Sequence, residues 1–311
     1  MSIVGRTSVA HPAERLLFIT LSNIGDAVMT TPVLALMHTT HPGAVVDIVT
    51  APRAAPVFRH CPFRGELVLK QSHGPRAALH LLRRLRRTSY DLVVDLRTDG
   101  LAWLLRARRR MTKLGARPLG PHAVERHLGV VRRLADGRIP DAVIWTGATD
   151  EERAGKLLGI LPPGRWLAFG PGARWAPKRW PAASFAALAD RLRDRFDGLV
   201  LLGDADDAPL CSRIAHAVDM PVVDLAGRTT ITEAAAVLRR TRCFVGNDSA
   251  LGHLAAAVGV PGLTLFGPGD PVRYRPWGTR ARWLKSETGR LEDLAVARVA
   301  EAFDKGIGQR C

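Results

Sequence analysis

At 311 residues the chain is long enough for two domains, and a composition of 47% hydrophobic and 24% charged residues excludes a wholly disordered protein. No apolar run reaches the length of a membrane span and residues 1–12 lack a signal-peptide segment, so a cytoplasmic location is expected. The net charge of +16 is uneven, because residues 76–133 hold 15 Arg and Lys against 4 Asp and Glu, a local excess of +11.

Strand-like apolar runs alternate with helical stretches in the first half of the chain. The strand "RLLFITL" precedes a helix over 26–38, and "VVDIVT" precedes a helix near 52–60. "ELVLK" leads into a basic helix over 75–87, and "DLVVDLR" leads into the helix "GLAWLLRAR". A short strand near 112–116 and the helix "AVERHLGVVRRLA" complete this half. The near-continuous Val and Leu runs indicate strands buried on both faces of a parallel sheet.

The basic region 76–133 allows more than one kind of partner. A nucleic-acid surface needs aromatic stacking residues, and Tyr90 and Trp103 are the only aromatics nearby, so no nucleic-acid partner is expected. Arginine interleaved with leucine suits contact with anionic lipid headgroups or an anionic saccharide. Ordinary solvated helix faces are the alternative, and the sequence leaves both open.

The alternation restarts after a link near 137–150. "RWLAFGPG", "GLVLLGD", "PVVDLAG", "CFVGND" and "GLTLFGP" are predicted strands, and "ASFAALADRLRDRF" is the clearest amphipathic helix. Two successive series of this kind predict an α/β fold with two doubly wound domains facing one another across a cleft. Ligands in such sheets bind beyond the carboxyl ends of the strands, so the loops at those ends are candidate sites.

The first such loop, "LSNIGDA", contains Ser22, Asn23, Gly25 and Asp26. Asp26 either caps the helix that follows or points at a substrate. Gly25 beside it removes side-chain bulk and leaves room for a sugar. We expect this loop to form the acceptor side of a site.

A second loop, "FGPGARWAPKRWP", opens with Gly172 and supplies Arg174 and Lys178 before the next helix. Gly-rich turns let backbone amides approach phosphate oxygens, and a lysine adds compensating charge. Neither the GxxxxGK[ST] pattern of a P-loop nor the GxGxxG of a dinucleotide fold is present. The usual signatures of kinases, ATPases and nicotinamide oxidoreductases are therefore missing.

A third loop follows the strand "CFVGN" with Asp248, Ser249 and Ala250. A helix start with little side-chain bulk is a natural seat for a diphosphate, because its amides and its dipole favour anions. An ordinary N-cap at Asp248 or Ser249 is the alternative. The acidic run "GDADDA" at 203–208 resembles a metal motif, but acids at a helix start are usually surface residues, and no metal site is expected.

In their order and spacing, these segments resemble glycosyltransferase family 9, the bacterial heptosyltransferases of lipopolysaccharide core assembly. The matching segments are "LSNIGDAVMTTP", "YDLVVDLRTDG", "PGARWAPKRWP", "LAGRTTITEAAAVLRRTRCFVGNDSALGHLAAAVGVP" and "LFGPGDPVRYRPWG". The resemblance implies a GT-B fold, with residues 1–145 on the acceptor side and 146–290 on the nucleotide-sugar side. It also implies that a closing helix within 291–311 packs back near the first domain.

The resemblance carries roles to individual residues. The catalytic aspartate of the family falls on Asp26, and the lysine of its KxW segment falls on Lys178. Its diphosphate-contacting loop falls on residues 248–250, followed by a histidine at His253. The family usually has glycine where Ala250 stands, and the added methyl group narrows the approach to phosphate or reflects a shifted donor.

The implied reaction moves a heptose or related sugar, with inversion, from an ADP-sugar to a lipid-linked saccharide. Asp26 is expected to act as general base, while Lys178, Arg174 and the helix amides stabilise the leaving diphosphate. No cofactor is expected beyond the ADP-sugar substrate, and the basic region would hold the protein at the cytoplasmic face of the inner membrane. Two alternatives stay open: another GT-B enzyme using a UDP or GDP donor, and a non-catalytic protein that binds sugar nucleotides or anionic surfaces.

Overall fold

The computed structural model describes residues 14–70, 74–97, 100–134, 137 and 139–308, and in them the chain forms two parallel sheets flanked by helices. The first sheet has the strand order β3-β2-β1-β4-β5. Its strands are β1 (Arg15–Ile19), β2 (Val45–Thr50), β3 (Arg64–Leu69), β4 (Tyr90–Asp95) and β5 (Ala107–Thr112). Its helices are α1 (Ile24–Val28), α2 (Thr31–Thr40), α3 (Pro75–Leu85), α4 (Leu101–Leu104) and α5 (Ala123–Val130), with 3₁₀ turns at Ala55–Phe58 and Arg132–Leu134.

The second sheet has the order β11-β10-β9-β6-β7-β8. Its strands are β6 (Trp166–Gly170), β7 (Gly198–Leu201), β8 (Val222–Asp224), β9 (Cys243–Asn247), β10 (Gly262–Phe266) and β11 (Ala281–Lys285). Its helices are α6 (Ala148–Leu158), α7 (Ala182–Leu192), α8 (Ala208–Ala217), α9 (Ile231–Arg239), α10 (Ala250–Ala257), α11 (Pro271–Tyr274) and α12 (Val296–Gly306). Four 3₁₀ turns lie at Ala176–Lys178, Arg193–Arg195, Ala205–Asp207 and Leu291–Asp293.

Both sheets pair their strands in parallel throughout, with β1 central in the first and β9 and β6 central in the second. The central strands are buried on both faces, since every residue of β9 and β10 is inaccessible or nearly so. Helices cover both faces because parallel strands can be joined only by crossovers. The two doubly wound domains of the predicted fold are confirmed.

The predicted elements differ from the observed ones mainly at edges and breaks. The single helix expected over 26–38 is two helices, broken where the Thr30 hydroxyl donates to the Ala27 carbonyl at 2.6 Å. A strand was expected near 112–116, but β5 lies earlier, at "ARRRMT", and β11 was missed. Both are edge strands with solvated side chains, so they lack the apolar run that marks a buried strand.

The last helix packs on the second sheet. α12 contacts α7, β10 and β11, and its expected approach to the first domain stays a prediction. Val299, Ala300 and Phe303 of α12 are buried in the same core cluster as the second sheet, where Phe303 meets Phe196 edge to face. This apolar stripe fixes the helix to the domain that precedes it in the chain.

The two sheets are joined by direct contacts. α1 of the first half packs on α10 of the second. His60 lies 3.0 Å from Asp150 at the start of α6, and the ring of His122 donates from Nε2 to the Arg275 carbonyl at 2.9 Å. The loops at the carboxyl ends of both sheets therefore face one another at close range.

Two histidines of the first half make stability depend on pH. Burial lowers the pKa of both His122 and His127 to about 4, and the nearby ammonium group of Lys113 adds to the effect on His127. An unfolded histidine titrates near 6.5, so this stability is fully present above pH 6.5 and is lost as pH falls toward about 4. For His127 alone we expect a loss of roughly 3 kcal/mol in the free energy of unfolding.

Urea denaturation at about pH 7 and about pH 4.5 measures this loss. His127→Leu keeps the buried volume but cannot be protonated, so its free energy of unfolding should fall less between the two pH values. Equal losses in the parent and the variant would contradict the assignment.

Candidate active site

The loop after β1 places a carboxylate at the carboxyl edge of the first sheet. α1 begins at Ile24, and Asn23 is its N-cap residue, with extended backbone at φ −89° and ψ 152°. Asp26 lies in the first turn, where its Oδ2 accepts a hydrogen bond of 2.9 Å from Asn23 Nδ2. The alternative that Asp26 is the N-cap is therefore wrong, because Asn23 occupies that position.

Asp26 lines a cavity of about 310 Å³ whose other walls are rich in cations. Lys113 follows β5, Arg126 lies on α5, and Arg273 comes from α11 of the second half. Within the described residues, none of these three side chains has a carboxylate partner. Burial lowers the pKa of Lys113, the nearby Arg126 and Arg97 add to this effect, and the Asp95 carboxylate opposes it. The cavity thus suits an anionic molecule brought close to one carboxylate.

A second and larger cavity, about 640 Å³, is lined by residues of both halves. Most of the site residues predicted from sequence meet here. The first half contributes Asn23 and Gly25, and the second half contributes Gly172, Arg174, Lys178, Asp248, Ser249 and Ala250. We call this the large cavity and the one containing Asp26 the small cavity.

The loop after β1 and the start of α1 line both cavities. Asn23, Ile24 and Gly25 line the large cavity, whereas Asp26 lines the small one. Behind Gly25 the ring of buried His253 lies so close that a β-carbon at Gly25 would be 2.9 Å from its Cδ2. Burial lowers the pKa of His253, which keeps the ring neutral at this contact. Only glycine allows this approach, which brings the carboxylate next to the loop after β9.

Lys178 and Asp248 form an ion pair on the wall of the large cavity. Lys178 Nζ lies 2.5 Å from Asp248 Oδ2, with 30% and 10% of the two side chains exposed. Asn247 ties the two loops together, because its side chain donates to the Pro171 carbonyl at 2.6 Å and accepts from the Trp180 amide at 3.2 Å. The lysine is therefore held in place on a rigid support before any ligand binds.

The start of α10 offers donors to the same cavity. Ser249 is the N-cap residue, but its side chain makes no capping bond, and its Oγ is buried without a partner in the described part of the chain. The first-turn amides and the Ser249 hydroxyl are thus available for an anion. Ala250 is the first helical residue and lines the cavity. Its methyl group occupies space that glycine would leave open.

Gly172 lines the large cavity by packing against an acidic turn. A β-carbon there would lie 2.0 Å from Asp207 Oδ2, so no other residue fits without displacing the carboxylate. Asp207 in turn faces Arg179 at 3.6 Å, and burial raises its pKa. Asp204 caps the turn by accepting from the Asp206 amide. Asp204 and Asp207 also line the cavity, which the interpretation of "GDADDA" as ordinary surface missed.

Ser22 lies outside both cavity linings, and its hydroxyl accepts a hydrogen bond of 2.6 Å from Arg97 Nη1. The Ser22 hydroxyl is therefore held by Arg97, and its expected role on the acceptor side stays a prediction. Among the described residues no cluster of three or more His, Cys, Asp or Glu side chains is arranged to hold a metal ion. In the same part of the chain, no helix has the length and apolarity to cross a membrane.

The polar lining of the small cavity was not found from the sequence. Three cations, Lys113, Arg126 and Arg273, and the uncharged His127 and Tyr274 come to it from three separate segments. The motif "LFGPGDPVRYRPWG" contains two of them, and that was the available signal. The remaining three residues lie within the basic region 76–133, where nothing in the sequence set them apart from their neighbours.

Comparisons with known proteins agree on one family. The family model described as glycosyltransferase family 9 (heptosyltransferase) matches residues 101–302. The chain is 30% identical to lipopolysaccharide heptosyltransferase 3 of Escherichia coli K12 over 81% of this chain and 82% of that protein. It is 31% identical to lipopolysaccharide heptosyltransferase 1 of Pseudomonas aeruginosa, covering 83% and 79% of the two chains.

Solved structures show the same architecture. The ADP-heptose lipopolysaccharide heptosyltransferase II of E. coli matches with a TM-score of 0.80 over 95% of this chain and 99% of that one, at 23% identity. At that identity the match concerns the fold, and it confirms the expected GT-B arrangement.

Proposed function

The chain belongs to glycosyltransferase family 9 and is a glycosyltransferase, and from this membership we propose that it transfers a heptose with inversion from an ADP-linked donor to a lipopolysaccharide core saccharide. The observation that carries the proposal is that residues 23–26 line both cavities. The Asp26 carboxylate lies in the small cavity, and the Lys178 cation and the start of α10 line the large cavity beside it. The names of the relatives support the heptose, the ADP and the core acceptor.

The large cavity is the proposed donor site. The diphosphate would lie between Lys178 and the start of α10, where Ser249 and Ala250 line the cavity. Asp248 cannot donate to a phosphate oxygen, so its proposed tasks are to hold Lys178 and to accept from a sugar hydroxyl. Arg174, exposed at the cavity wall, adds a second positive charge.

The proposed reaction is a direct displacement at the anomeric carbon. The acceptor oxygen forms a bond to that carbon while the bond to the diphosphate oxygen breaks, and the hydroxyl proton passes to Asp26. The negative charge that gathers on the diphosphate is stabilised by Lys178 and the helix amides. In this displacement the acceptor oxygen attacks the face of the anomeric carbon opposite the departing diphosphate, which inverts the configuration.

The small cavity is the proposed acceptor site. Its three cations without carboxylate partners, Lys113, Arg126 and Arg273, suit a saccharide that carries carboxylate or phosphate groups. Arg273 belongs to the second half, so an anionic acceptor would also draw the two domains together. Such an acceptor is lipid-linked, and we expect the protein to act at the cytoplasmic face of the inner membrane.

Incubation with ADP-heptose and a truncated lipopolysaccharide acceptor, followed by mass spectrometry, tests the proposal. The expected product is the acceptor plus one heptose, with release of ADP. A thermal shift assay should show a rise in melting temperature with ADP that UDP and GDP at equal concentration do not produce. Stabilisation by UDP or GDP alone would favour the alternative GT-B donor, and no transfer from any nucleotide sugar would favour a binding protein.

A further inference from the structure

A groove rich in arginine adjoins the small cavity. It measures about 760 Å³ and lies between β5 with its following turn and the end of α5 with the 3₁₀ turn after it. Five arginines line it, namely Arg109, Arg110, Arg117, Arg132 and Arg133. We call it the arginine groove.

These arginines fall into two groups by their contacts. Arg110 is occupied, because its guanidinium donates to the carbonyls at the end of α4, including Leu105 O at 2.7 Å. Arg109 faces His41 Nε2 at 3.0 Å. Arg117, Arg132 and Arg133 are exposed and, in the part of the chain that the structure describes, have no carboxylate partner. Three adjacent cations without counter-charge attract a surface bearing many anions.

Large apolar side chains stand among these cations. Trp103 and Leu114 line the groove with 59% and 76% of their surface exposed, and Leu104 beside Trp103 is 56% exposed. Exposed tryptophan and leucine next to arginine is the pattern of a surface that enters the headgroup layer of a membrane, with the rings and methyl groups at the acyl boundary. A groove for a free oligosaccharide has no need of exposed leucine.

The arginine groove and the small cavity are neighbours, because Ala116 and Val130 line both of them. A membrane surface at the groove would therefore lie close to the cavity that contains Asp26.

We propose that the arginine groove and its apolar rim dock the protein on an anionic lipid bilayer. Arg117, Arg132 and Arg133 contact lipid phosphates, while Trp103, Leu104 and Leu114 insert at the headgroup level. The docking turns the opening of the small cavity toward the membrane. That orientation explains why the groove lies beside the small cavity, and this part of the inference rests on the proposed function. The docking itself is independent of the proposed function.

Vesicle sedimentation tests the docking, with phosphatidylcholine vesicles compared with vesicles that also contain phosphatidylglycerol. Replacing Arg132 and Arg133 by glutamine should weaken binding to the anionic vesicles on the order of 30-fold at low salt. The matched control replaces Arg191 and Arg213, exposed on α7 and α8, and so changes the net charge equally. Equal losses in the two variants, or no vesicle binding by the parent, would overturn the proposal.

The apolar rim is tested separately. Trp103→Ser should also weaken vesicle binding, and its effect should persist at high salt, where the effect of the arginines disappears. If the affinity of this variant for the vesicles is unchanged, the contact is purely electrostatic, which would contradict insertion of the Trp103 side chain.

Transfer assays separate this inference from the proposed function. The Arg132/Arg133 variant should keep the parental rate with a delipidated, water-soluble acceptor and lose rate only when the acceptor is embedded in anionic vesicles. Loss with the soluble acceptor as well would mean that the groove binds saccharide, which overturns the docking. If the parent transfers no sugar, the proposed function fails, and the vesicle data still decide the docking.

Discussion

Asp26→Asn is expected to slow sugar transfer by roughly 10²–10⁴-fold while leaving ADP affinity close to the parental value. The asparagine keeps the size of the side chain but cannot take the acceptor proton. The Asp26 carboxylate lines the small cavity and accepts a hydrogen bond from Asn23 at 2.9 Å, so loss of its charge should leave nucleotide binding in the large cavity intact. Transfer rates with saturating substrates, together with ADP calorimetry, measure the two quantities.

A matched control uses a carboxylate at the other edge of the same sheet. Asp91 lies near the start of β4 and pairs with Arg108 at 3.4 Å. Asp91→Asn makes the same chemical change and should leave the transfer rate unaltered. The acidic limb of the pH–rate profile should disappear with Asp26→Asn alone. Near-parental turnover of a folded Asp26→Asn protein would end its assignment as general base.

The fold could be read from the sequence wherever strands are buried. Runs such as "GLVLLGD" and "CFVGND" are apolar because both faces of a buried parallel strand pack against helices. Such a strand can therefore be recognised from its own residues, without knowing which elements pack against it. β5, written "ARRRMT", and β11 could not be found in this way, since an edge strand satisfies its side chains with solvent. An approach of α12 to the first domain was expected from resemblance alone, whereas the burial of Phe303 against the second sheet follows from the apolar stripe of the helix.

The donor side of the site was largely readable, and the acceptor side was not. Residues 172–178 and 248–250 lie in two short loops whose glycines and small residues signal phosphate chemistry locally. Of the cations of the small cavity, Lys113 and Arg126 come from separate elements of the first half, and Arg273 joins them only because α11 lies beside that half. The approach of His253 to Gly25 is also tertiary, and no local pattern encodes it.

The uneven net charge likewise predicted a basic face, but it could not show which of the basic residues serve which role. Arg84 pairs with Glu66 and Arg108 with Asp91, so part of the excess is ordinary surface. Arg126 faces the small cavity, while others line the arginine groove. The same residue type therefore serves ion pairs, a proposed acceptor site and a proposed docking surface within one segment, and only the packing separates these roles.

Lys178→Ala is expected to lower kcat/KM for the donor by roughly 10²–10³-fold and to weaken ADP binding at the same time. The lysine is the cation nearest the proposed diphosphate seat, and the charge it faces grows as the leaving group departs. Its removal also leaves the Asp248 carboxylate, 10% exposed, without its partner and close to the diphosphate. Calorimetry with ADP and steady-state transfer rates measure both effects, with Lys285→Ala on exposed β11 as the matched control.

A double-mutant cycle can separate the roles of Lys178 and Asp248. If Asp248 acts mainly by holding Lys178, then Asp248→Asn in the Lys178→Ala background should cost much less than it does alone, because the lysine it positions is already absent. It should even recover ADP affinity in part, since a buried negative charge beside a diphosphate is removed. If Asp248 accepts from the donor sugar independently, the two losses should add for transfer while ADP affinity still recovers. Unchanged ADP affinity in Lys178→Ala would remove the lysine from the diphosphate site altogether.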